Sequence, residues 1–230
     1  MVLEPLAYGH AGQHLTGWLA RPEGVSRAAV VVFPTIANFN AAMERRARML
    51  ADLGYLAMVA DFYGNQTPSF PLADELRADT ANYRGRLAAA IAAMRGLPEA
   101  AGLPMLAIGY CMGGQAALEV MRDGQDLLAA VSFHGILSTG RPAEPGTVKG
   151  RLLVCHGDAD PLVPREQVIA FWEEMDRAGA DWHFHAYSGV RHGFTDPGSD
   201  ARGVDAIKYN ASADRQSWAA MTSLFDEVLA

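Results

Sequence analysis

The chain of 230 residues predicts an α/β fold in three layers, with a mostly parallel central sheet between layers of helices and an N-terminal hairpin. Apolar, valine-rich runs alternate with segments of helical length and helical periodicity along most of the sequence. The run within residues 27–33 is continuously apolar rather than alternating, as expected for a strand that is covered on both faces. Strands that alternate with helices in this way form a parallel sheet wrapped on both sides.

The predicted elements follow one another in the order that this fold requires. An opening hairpin is predicted at residues 2–8 and 14–20. Further strands are predicted at residues 27–33, 55–60, 103–108, 128–133, 151–156 and 182–187. Helices are predicted at residues 41–53, 72–95, 115–121, 165–178 and 213–229. The Gly- and Pro-containing residues 140–150 indicate a surface connection rather than a linker, so residues 1–230 are predicted to form a single domain.

Residues 109–114, Gly-Tyr-Cys-Met-Gly-Gly, lie between a predicted strand and a predicted helix. A Gly-x-nucleophile-x-Gly turn in that position is the nucleophile elbow of α/β-hydrolases. Its central residue is Cys111, and a thiolate is a stronger nucleophile than an alkoxide and needs less activation. The alternative is a small, buried and inert cysteine. The glycines on both sides favour the elbow, so we predict an α/β-hydrolase fold with Cys111 as the nucleophile.

The other two members of a triad are expected downstream, first an acid and then a histidine. Asp158 and Asp160 both follow the predicted strand 151–156, in a turn of Gly and Pro that can hold a carboxylate against an imidazole. Either aspartate can instead cap the next helix or accept hydrogen bonds from the turn. His192 follows strand 182–187 and precedes a glycine, where the general base is expected. Three other histidines are interpreted as structural: His156, His183 and His185.

In this order and spacing the motifs resemble those of the dienelactone hydrolase family, which are cysteine-dependent α/β-hydrolases. The resemblance covers nearly the whole chain. It includes the residues 32–34, 53–64, 109–114, 132–135, 156–164 and 192–194. It implies that the nucleophile is Cys111, the acid Asp160 and the base His192. The Asp-Pro-x-Val-Pro register of the acid loop is what favours Asp160 over Asp158.

These residues support two-step acyl transfer through a thioester. Cys111 attacks an ester or lactone carbonyl, while His192 protonates the leaving alkoxide and then activates a water, and Asp160 fixes the imidazole tautomer. Backbone N–H groups must stabilise the oxyanion. The N–H of Met112 is expected to do so because it follows the nucleophile at the start of a helix. The N–H of Ile36 is implied as the second donor by the resemblance.

The chain departs from the best-known family members at three positions. Those members place a glutamate beside the resting cysteine where this chain has Thr35, so a plain pair of Cys111 and His192 is the simpler route to a thiolate. The members that hydrolyse dienelactone hold its carboxylate with two arginines, and the aligned residues here are Asn65 and Asp196. The reaction class survives these changes, but specificity for dienelactone does not follow. Three other arginines are alternative partners for a carboxylate: Arg77, Arg84 and Arg191.

Loops after parallel strands meet at one edge of the sheet, where ligands of open α/β folds bind. Several aromatic residues fall on such loops and suggest an apolar pocket for a neutral acyl group, although each alone is more typical of packing. They are Phe39, Phe62, Tyr63, Phe70 and Phe194. The residues predicted to contact substrate are Thr35, Phe39, Tyr63, Asn65 and Phe194.

Composition excludes several other classes of protein. The formal net charge of −7 argues against a nucleic-acid partner, and no apolar run is long enough to span a membrane. The two cysteines, Cys111 and Cys155, do not make a disulfide framework and imply a reducing compartment. Because the first residues lack the features of a signal peptide, a cytoplasmic location is expected. No metal or nucleotide motif is present, so no cofactor is predicted.

The sequence thus predicts an enzyme that acts on a small-molecule ester or lactone, as a monomer or homodimer. One alternative is a general carboxylesterase or thioesterase on the same scaffold. The other is a non-catalytic binding protein or redox sensor, which the presence of Thr35 in place of a glutamate favours. A complete acid–histidine pair argues against that second alternative, because a binding protein needs neither residue.

Overall fold

An eight-stranded sheet forms the middle layer of the protein. The computed structural model describes residues 3–230, so the first residue of the predicted strand 2–8 lies outside the described residues. The strands are β1 (Glu4–His10), β2 (Gln13–Ala20), β3 (Ala29–Phe33), β4 (Leu56–Val59), β5 (Met105–Tyr110), β6 (Ala129–Phe133), β7 (Arg151–Gly157) and β8 (Trp182–Tyr187). Their order in the sheet is β1-β2-β4-β3-β5-β6-β7-β8.

The sheet is parallel from β4 to β8 and antiparallel only where the hairpin joins it. β1 pairs antiparallel with β2, and β2 pairs antiparallel with β4. All the other neighbouring strands pair in parallel. This arrangement confirms the predicted N-terminal hairpin and the mostly parallel sheet. The carboxyl ends of β3, β5, β6, β7 and β8 therefore meet at one edge.

Helices cover both faces of the sheet and complete the predicted three layers. They are α1 (Ala41–Asp52), α2 (Phe70–Ala78), α3 (Thr80–Arg95), α4 (Met112–Arg122), α5 (Arg165–Ala178) and α6 (Ala211–Val228). Short 3-10 turns occur at Pro98–Ala100 and Asp200–Arg202. Helices α2 to α5 contribute to one hydrophobic core, and α1 and α6 contribute to the other. None of the helices within residues 3–230 is both long and apolar enough to cross a lipid bilayer.

The central strand β3 shows why the sequence pattern is continuously apolar. Every residue of this strand is fully buried. Val31 belongs to one core, whereas Val30 and Val32 belong to the other. Since successive side chains of a strand point to opposite faces, a strand covered on both faces needs an apolar residue at every position.

The prediction of a single helix at residues 72–95 is wrong. The structure has two helices there, because α2 ends at Ala78 and α3 begins at Thr80. Asp79 between them has a non-helical ψ of 74°, and its carboxylate accepts a hydrogen bond from the N–H of Asn82 at 3.1 Å. Aspartate competes with helical backbone bonds in this way and is a strong N-cap, so it starts a new helix instead of continuing the first.

Candidate active site

Cys111 lies at a tight turn between β5 and α4. Its φ of 57° and ψ of −118° are strained for a residue that is not glycine. The backbone is so close here that a Cβ at Gly109 would lie 1.7 Å from the carbonyl oxygen of Gly113. A Cβ at Gly113 would lie 2.0 Å from the carbonyl oxygen of Phe33. The glycines that predicted the elbow are therefore required by packing, and the turn holds Cys111 at the start of α4.

An aspartate and a histidine come together from the loops after β7 and β8. His192 Nδ1 lies 2.7 Å from Asp160 Oδ2, and both side chains are buried. Asp160 Oδ1 accepts the backbone N–H of Leu162 at 2.9 Å, which fixes the carboxylate. Asp158 points elsewhere, because it forms a partly exposed ion pair with Arg165 at 2.8 Å. Of the two aspartates that the sequence left open, Asp160 is the one that contacts the histidine.

Cys111 and His192 are coupled electrostatically. Burial opposes ionisation of the Cys111 thiol, but the charge of His192 and the backbone N–H groups of Met112 and Ile36 outweigh it and lower the pKa of that thiol. Burial also opposes protonation of His192, but the Cys111 thiolate and the Asp160 carboxylate raise its pKa to about 10. Because the two shifts have opposite signs, the pair favours thiolate and imidazolium over two neutral groups.

The two predicted oxyanion donors both lie near the Cys111 sulfur. Met112 is the first residue of α4, where a backbone N–H has no carbonyl within the helix to bond. Ile36 lies in the loop after β3 and lines the same cavity as Cys111. The N–H groups of both residues stabilise the thiolate. The same N–H groups are therefore available to an oxygen anion that forms on a carbon atom bonded to the sulfur.

Asn38 and Asp61 hold the loop that carries Ile36. Asn38 has a φ of 60°, and its N–H donates to the carbonyl of Thr35 at 2.9 Å. The Asn38 side chain donates to Asp61 Oδ1 at 2.8 Å and accepts the N–H of Phe62 at 3.1 Å. Asparagine tolerates a positive φ better than most residues. Neither Asn38 nor Asp61 was singled out from the sequence, and both fix the position of the Ile36 N–H.

A cavity of about 190 Å³ opens beside Cys111, and its wall is predominantly apolar. Among the described residues that line it, the arginines are Arg46 and Arg202, and each is paired with a carboxylate. Arg46 is buried against Asp214, and Arg202 pairs with Asp196. The positive charge of each arginine of this wall is thus already balanced by a carboxylate.

Thr35 is the one predicted substrate contact that the structure places on the cavity wall. Its hydroxyl oxygen accepts the N–H of Ala37 at 3.3 Å and lies 3.4 Å from the amide nitrogen of Asn40. Asn65 is exposed and does not line the cavity, whereas Asp196 does. The three arginines named as alternative carboxylate partners are bonded elsewhere, to Gln115, Glu119 and Asp205 respectively.

The three aromatic residues predicted to contact substrate do not line the cavity. Phe39 stacks on Trp18 with 4.9 Å between ring centroids. Tyr63 is fully buried, and its hydroxyl lies 3.3 Å from the sulfur of Met112. Phe194 is also fully buried in the core. Each ring packs against other side chains, with Tyr63 and Phe194 fully buried and Phe39 partly buried, so the structure uses all three for packing.

His134 belongs to the site, although the sequence analysis gave it no role. Its Nδ1 accepts the backbone N–H of Cys111 at 3.1 Å, and its Nε2 lies 2.9 Å from the hydroxyl of Thr195. Its ring meets the ring of His192 edge to face at 5.0 Å. Burial and the nearby charge of His192 hold the pKa of His134 well below its ordinary value, so the ring stays neutral. Its position directly after β6, at the edge where ligands bind, is the sequence feature that points to it.

The part of the chain that the structure describes contains no candidate metal site. Within residues 3–230, no group of three or more His, Cys, Asp or Glu side chains is arranged to hold a metal ion. Both cysteines are free thiols, and Cys155 is buried within β7 with its pKa raised to about 12 by that burial. Of the two thiols, Cys111 is therefore the one whose pKa is lowered, and a lowered pKa favours the thiolate.

A nucleophile elbow followed by loops that bring an aspartate and a histidine to the same sheet edge defines an α/β-hydrolase. The sequence profile of the dienelactone hydrolase family matches residues 15–229. The chain belongs to the dienelactone hydrolase family and is a hydrolase.

Three relatives illustrate the match. The chain is 37% identical to the solved structure of m3DLH, with a TM-score of 0.92 and coverage of 99% of this chain and 98% of that one. It is 35% identical to a dienelactone hydrolase-like promiscuous phosphotriesterase from metagenomic libraries, with a TM-score of 0.90 and the same coverage. A probable 2-oxo-3-(5-oxofuran-2-ylidene)propanoate lactonase of Bradyrhizobium sp is 26% identical over 226 residues, which are 91% of this chain and 88% of that protein.

Proposed function

We propose that the chain hydrolyses neutral carboxylic esters or lactones, with Cys111 as nucleophile, His192 as acid and base, and Asp160 as the residue that orients His192. The observation that carries this proposal is the pairing of His192 with Asp160 beside a Cys111 thiol whose pKa the charge of His192 lowers. The distance from His192 Nδ1 to Asp160 Oδ2 is 2.7 Å. Such a set of groups activates a nucleophile at neutral pH.

In the first step the Cys111 thiolate attacks the carbonyl carbon and a carbon–sulfur bond forms. The carbonyl electron pair moves to the oxygen, where the N–H groups of Met112 and Ile36 stabilise it. When the tetrahedral intermediate collapses, the bond to the alkoxy oxygen breaks and His192 Nε2 gives its proton to that oxygen. The alcohol leaves, or remains attached in the case of a lactone, and Cys111 carries the acyl group as a thioester.

In the second step His192, now neutral, takes a proton from a water at Nε2. The resulting hydroxide adds to the thioester carbon, the carbon–sulfur bond breaks, and the thiolate and imidazolium return. Asp160 keeps the hydrogen on Nδ1 throughout, so that Nε2 always faces the reacting groups. Asp160 and His192 are buried away from bulk water, so the charges of the carboxylate and the imidazolium interact more strongly than they would in solution.

The charges of the cavity support a neutral substrate. Both wall arginines, Arg46 and Arg202, are paired with aspartates, and the negative charge of Asp196 lies on the same wall. A substrate carboxylate would be desolvated there without a free cation to pair with it. A carboxylesterase or thioesterase activity on neutral substrates is compatible with the same cavity.

The alternative of a redox sensor or binding protein rested on Thr35 in place of a glutamate. The Thr35 hydroxyl is bonded within its own loop, and the groups that lower the pKa of Cys111 are His192, Met112 and Ile36. The thiol is thus activated without a second carboxylate, which favours the hydrolase over the sensor.

Turnover of a small substrate panel tests this function. We expect the wild type to hydrolyse p-nitrophenyl acetate or a neutral lactone with a higher kcat/KM than a carboxylate-bearing lactone. Cys111→Ala is expected to lose at least about 1,000-fold in kcat, because the covalent step is removed. Cys155→Ala is the matched control, since it removes the other thiol and leaves the site intact. Undiminished turnover by Cys111→Ala would show that Cys111 is not the nucleophile.

A further inference from the structure

Three exposed apolar side chains surround the mouth of the cavity beside Cys111. Phe70 is 72% exposed, Leu162 is 47% exposed and Val204 is 46% exposed, and all three line this cavity. They come from three separate parts of the chain, namely the first residue of α2, the loop that carries Asp160, and the segment after the second 3-10 turn. Single exposed apolar residues are common, but a cluster of them at one opening marks a surface that binds something.

Three hydroxyl groups of the cavity wall are already bonded within the protein. The hydroxyl of Thr195 is bonded to His134, and the hydroxyl of Ser199 donates to the carbonyl of Gly193 at 2.7 Å. The hydroxyl of Thr35 accepts a backbone N–H of its own loop. Together with the paired arginines, this leaves the wall with apolar surface as its main means of holding a substrate. Recognition here therefore depends on the burial of hydrocarbon.

We propose that Phe70, Leu162 and Val204 form an apolar subsite, the rim subsite, that binds a hydrocarbon chain or ring of a neutral ester at some distance from the reacting carbonyl. This inference rests on the proposed function, since it requires the carbonyl to lie at Cys111. The cavity holds the part of the substrate next to the carbonyl, and a longer chain continues outward to the rim subsite. The substrate class is thus neutral esters or lactones with an extended apolar substituent, rather than small or anionic ones.

The rim subsite is connected to the catalytic groups through Leu162. The backbone N–H of Leu162 holds Asp160 Oδ1 at 2.9 Å, while its side chain stands at the cavity mouth. A hydrocarbon chain of the substrate that is bound at the rim subsite therefore lies next to the loop whose Asp160 orients His192. Because Leu162 serves both roles, the test uses Phe70 and Val204, which have no bond to the triad.

The test is the dependence of kcat/KM on acyl length for p-nitrophenyl esters from acetate to decanoate. In the wild type we expect kcat/KM to rise about two- to fourfold for each methylene that reaches the rim subsite. In Phe70→Ala/Val204→Ala we expect the rise to flatten, so that the ratio of kcat/KM for decanoate to kcat/KM for acetate falls well below the wild-type ratio. Ile169→Ala and Val25→Ala are the matched controls, because these side chains are 51% and 94% exposed and lie away from the cavity.

Alkylation of Cys111 provides a second readout that does not need turnover. The ratio of rates with N-hexyl iodoacetamide and iodoacetamide is expected to be high in the wild type and to fall in Phe70→Ala/Val204→Ala. An unchanged acyl-length dependence and an unchanged alkylation ratio in the double variant would overturn the rim subsite. If no ester is turned over but the alkylation ratio falls as expected, the rim subsite stands and the proposed function fails.

Discussion

His192→Ala is expected to abolish ester turnover and to slow alkylation of Cys111 at neutral pH. The charge of His192 is the main influence that lowers the pKa of the Cys111 thiol, against the burial that raises it. Without that charge the thiolate fraction falls, so we expect alkylation by iodoacetamide at pH 7 to slow by more than about tenfold. The loss in kcat is expected to exceed about 1,000-fold, because the general acid and base is removed as well.

The matched control for this variant is His185→Ala, which removes an exposed histidine of β8. We expect it to be alkylated and to turn over esters at wild-type rates. Alkylation of His192→Ala at the wild-type rate would show that His192 does not activate the thiol.

The pH dependence of the wild type follows from the same pair. The thiolate forms as pH rises through the lowered pKa of Cys111, so alkylation should reach its plateau below the pH at which an ordinary thiol does. His192 keeps its proton until its pKa of about 10, and above that pH it has none to give the leaving alkoxide. We therefore expect kcat/KM to fall as pH rises past about 10. A kcat/KM that keeps rising through that pH would contradict the thiolate–imidazolium pair.

Arg122→Met is expected to lower the free energy of unfolding by roughly 3–5 kcal/mol, the usual cost of leaving buried charges without their partner. The Arg122 side chain is only 1% exposed and makes two bonds to Glu174, at 2.8 and 2.7 Å. It also bonds Glu119 at 2.9 Å, and Glu119 bonds the buried Arg84 at 2.8 Å. The substitution leaves two buried carboxylates with too few positive charges. This network ties α4, which begins directly after Cys111, to α3 and α5.

Urea unfolding of Arg122→Met and Arg165→Met measures this effect. Arg165 also pairs with a carboxylate, but its side chain is 74% exposed. Exposed ion pairs contribute little because water and salt screen them, so we expect Arg165→Met to unfold close to the wild-type midpoint. Equal losses in the two variants would show that burial of the network does not matter.

The features that the sequence could predict are those set by neighbouring residues. The elbow is determined by glycines at 109 and 113, on either side of the nucleophile, and by the apolar strand before it. The acid and histidine loops follow strands in the order that this fold requires, so the meeting of Asp160 and His192 was expected. The alternation of strands and helices in the same way predicted three layers and a parallel sheet.

The features that the sequence could not predict depend on contacts between distant residues. Arg46 pairs with Asp214, which lies 168 residues away in the sequence. No sequence pattern near either residue predicts this ion pair. A loop aromatic such as Phe194 can turn toward the cavity or into the core, and only the surrounding packing decides. The prediction of one helix over residues 72–95 also treated Asp79 as an interior residue. A single side-chain cap divides this segment into two helices.

The most direct measurement is the intact mass of the enzyme during turnover. Wild-type protein is mixed with p-nitrophenyl butyrate, quenched in acid within milliseconds, and analysed by mass spectrometry with peptide mapping. We expect a mass increase of one butyryl group on the peptide that contains Cys111, removable by hydroxylamine as a thioester is, and absent from Cys111→Ala. Steady turnover with no acyl group on Cys111, or with the group on another residue, would contradict a covalent mechanism through this thiol.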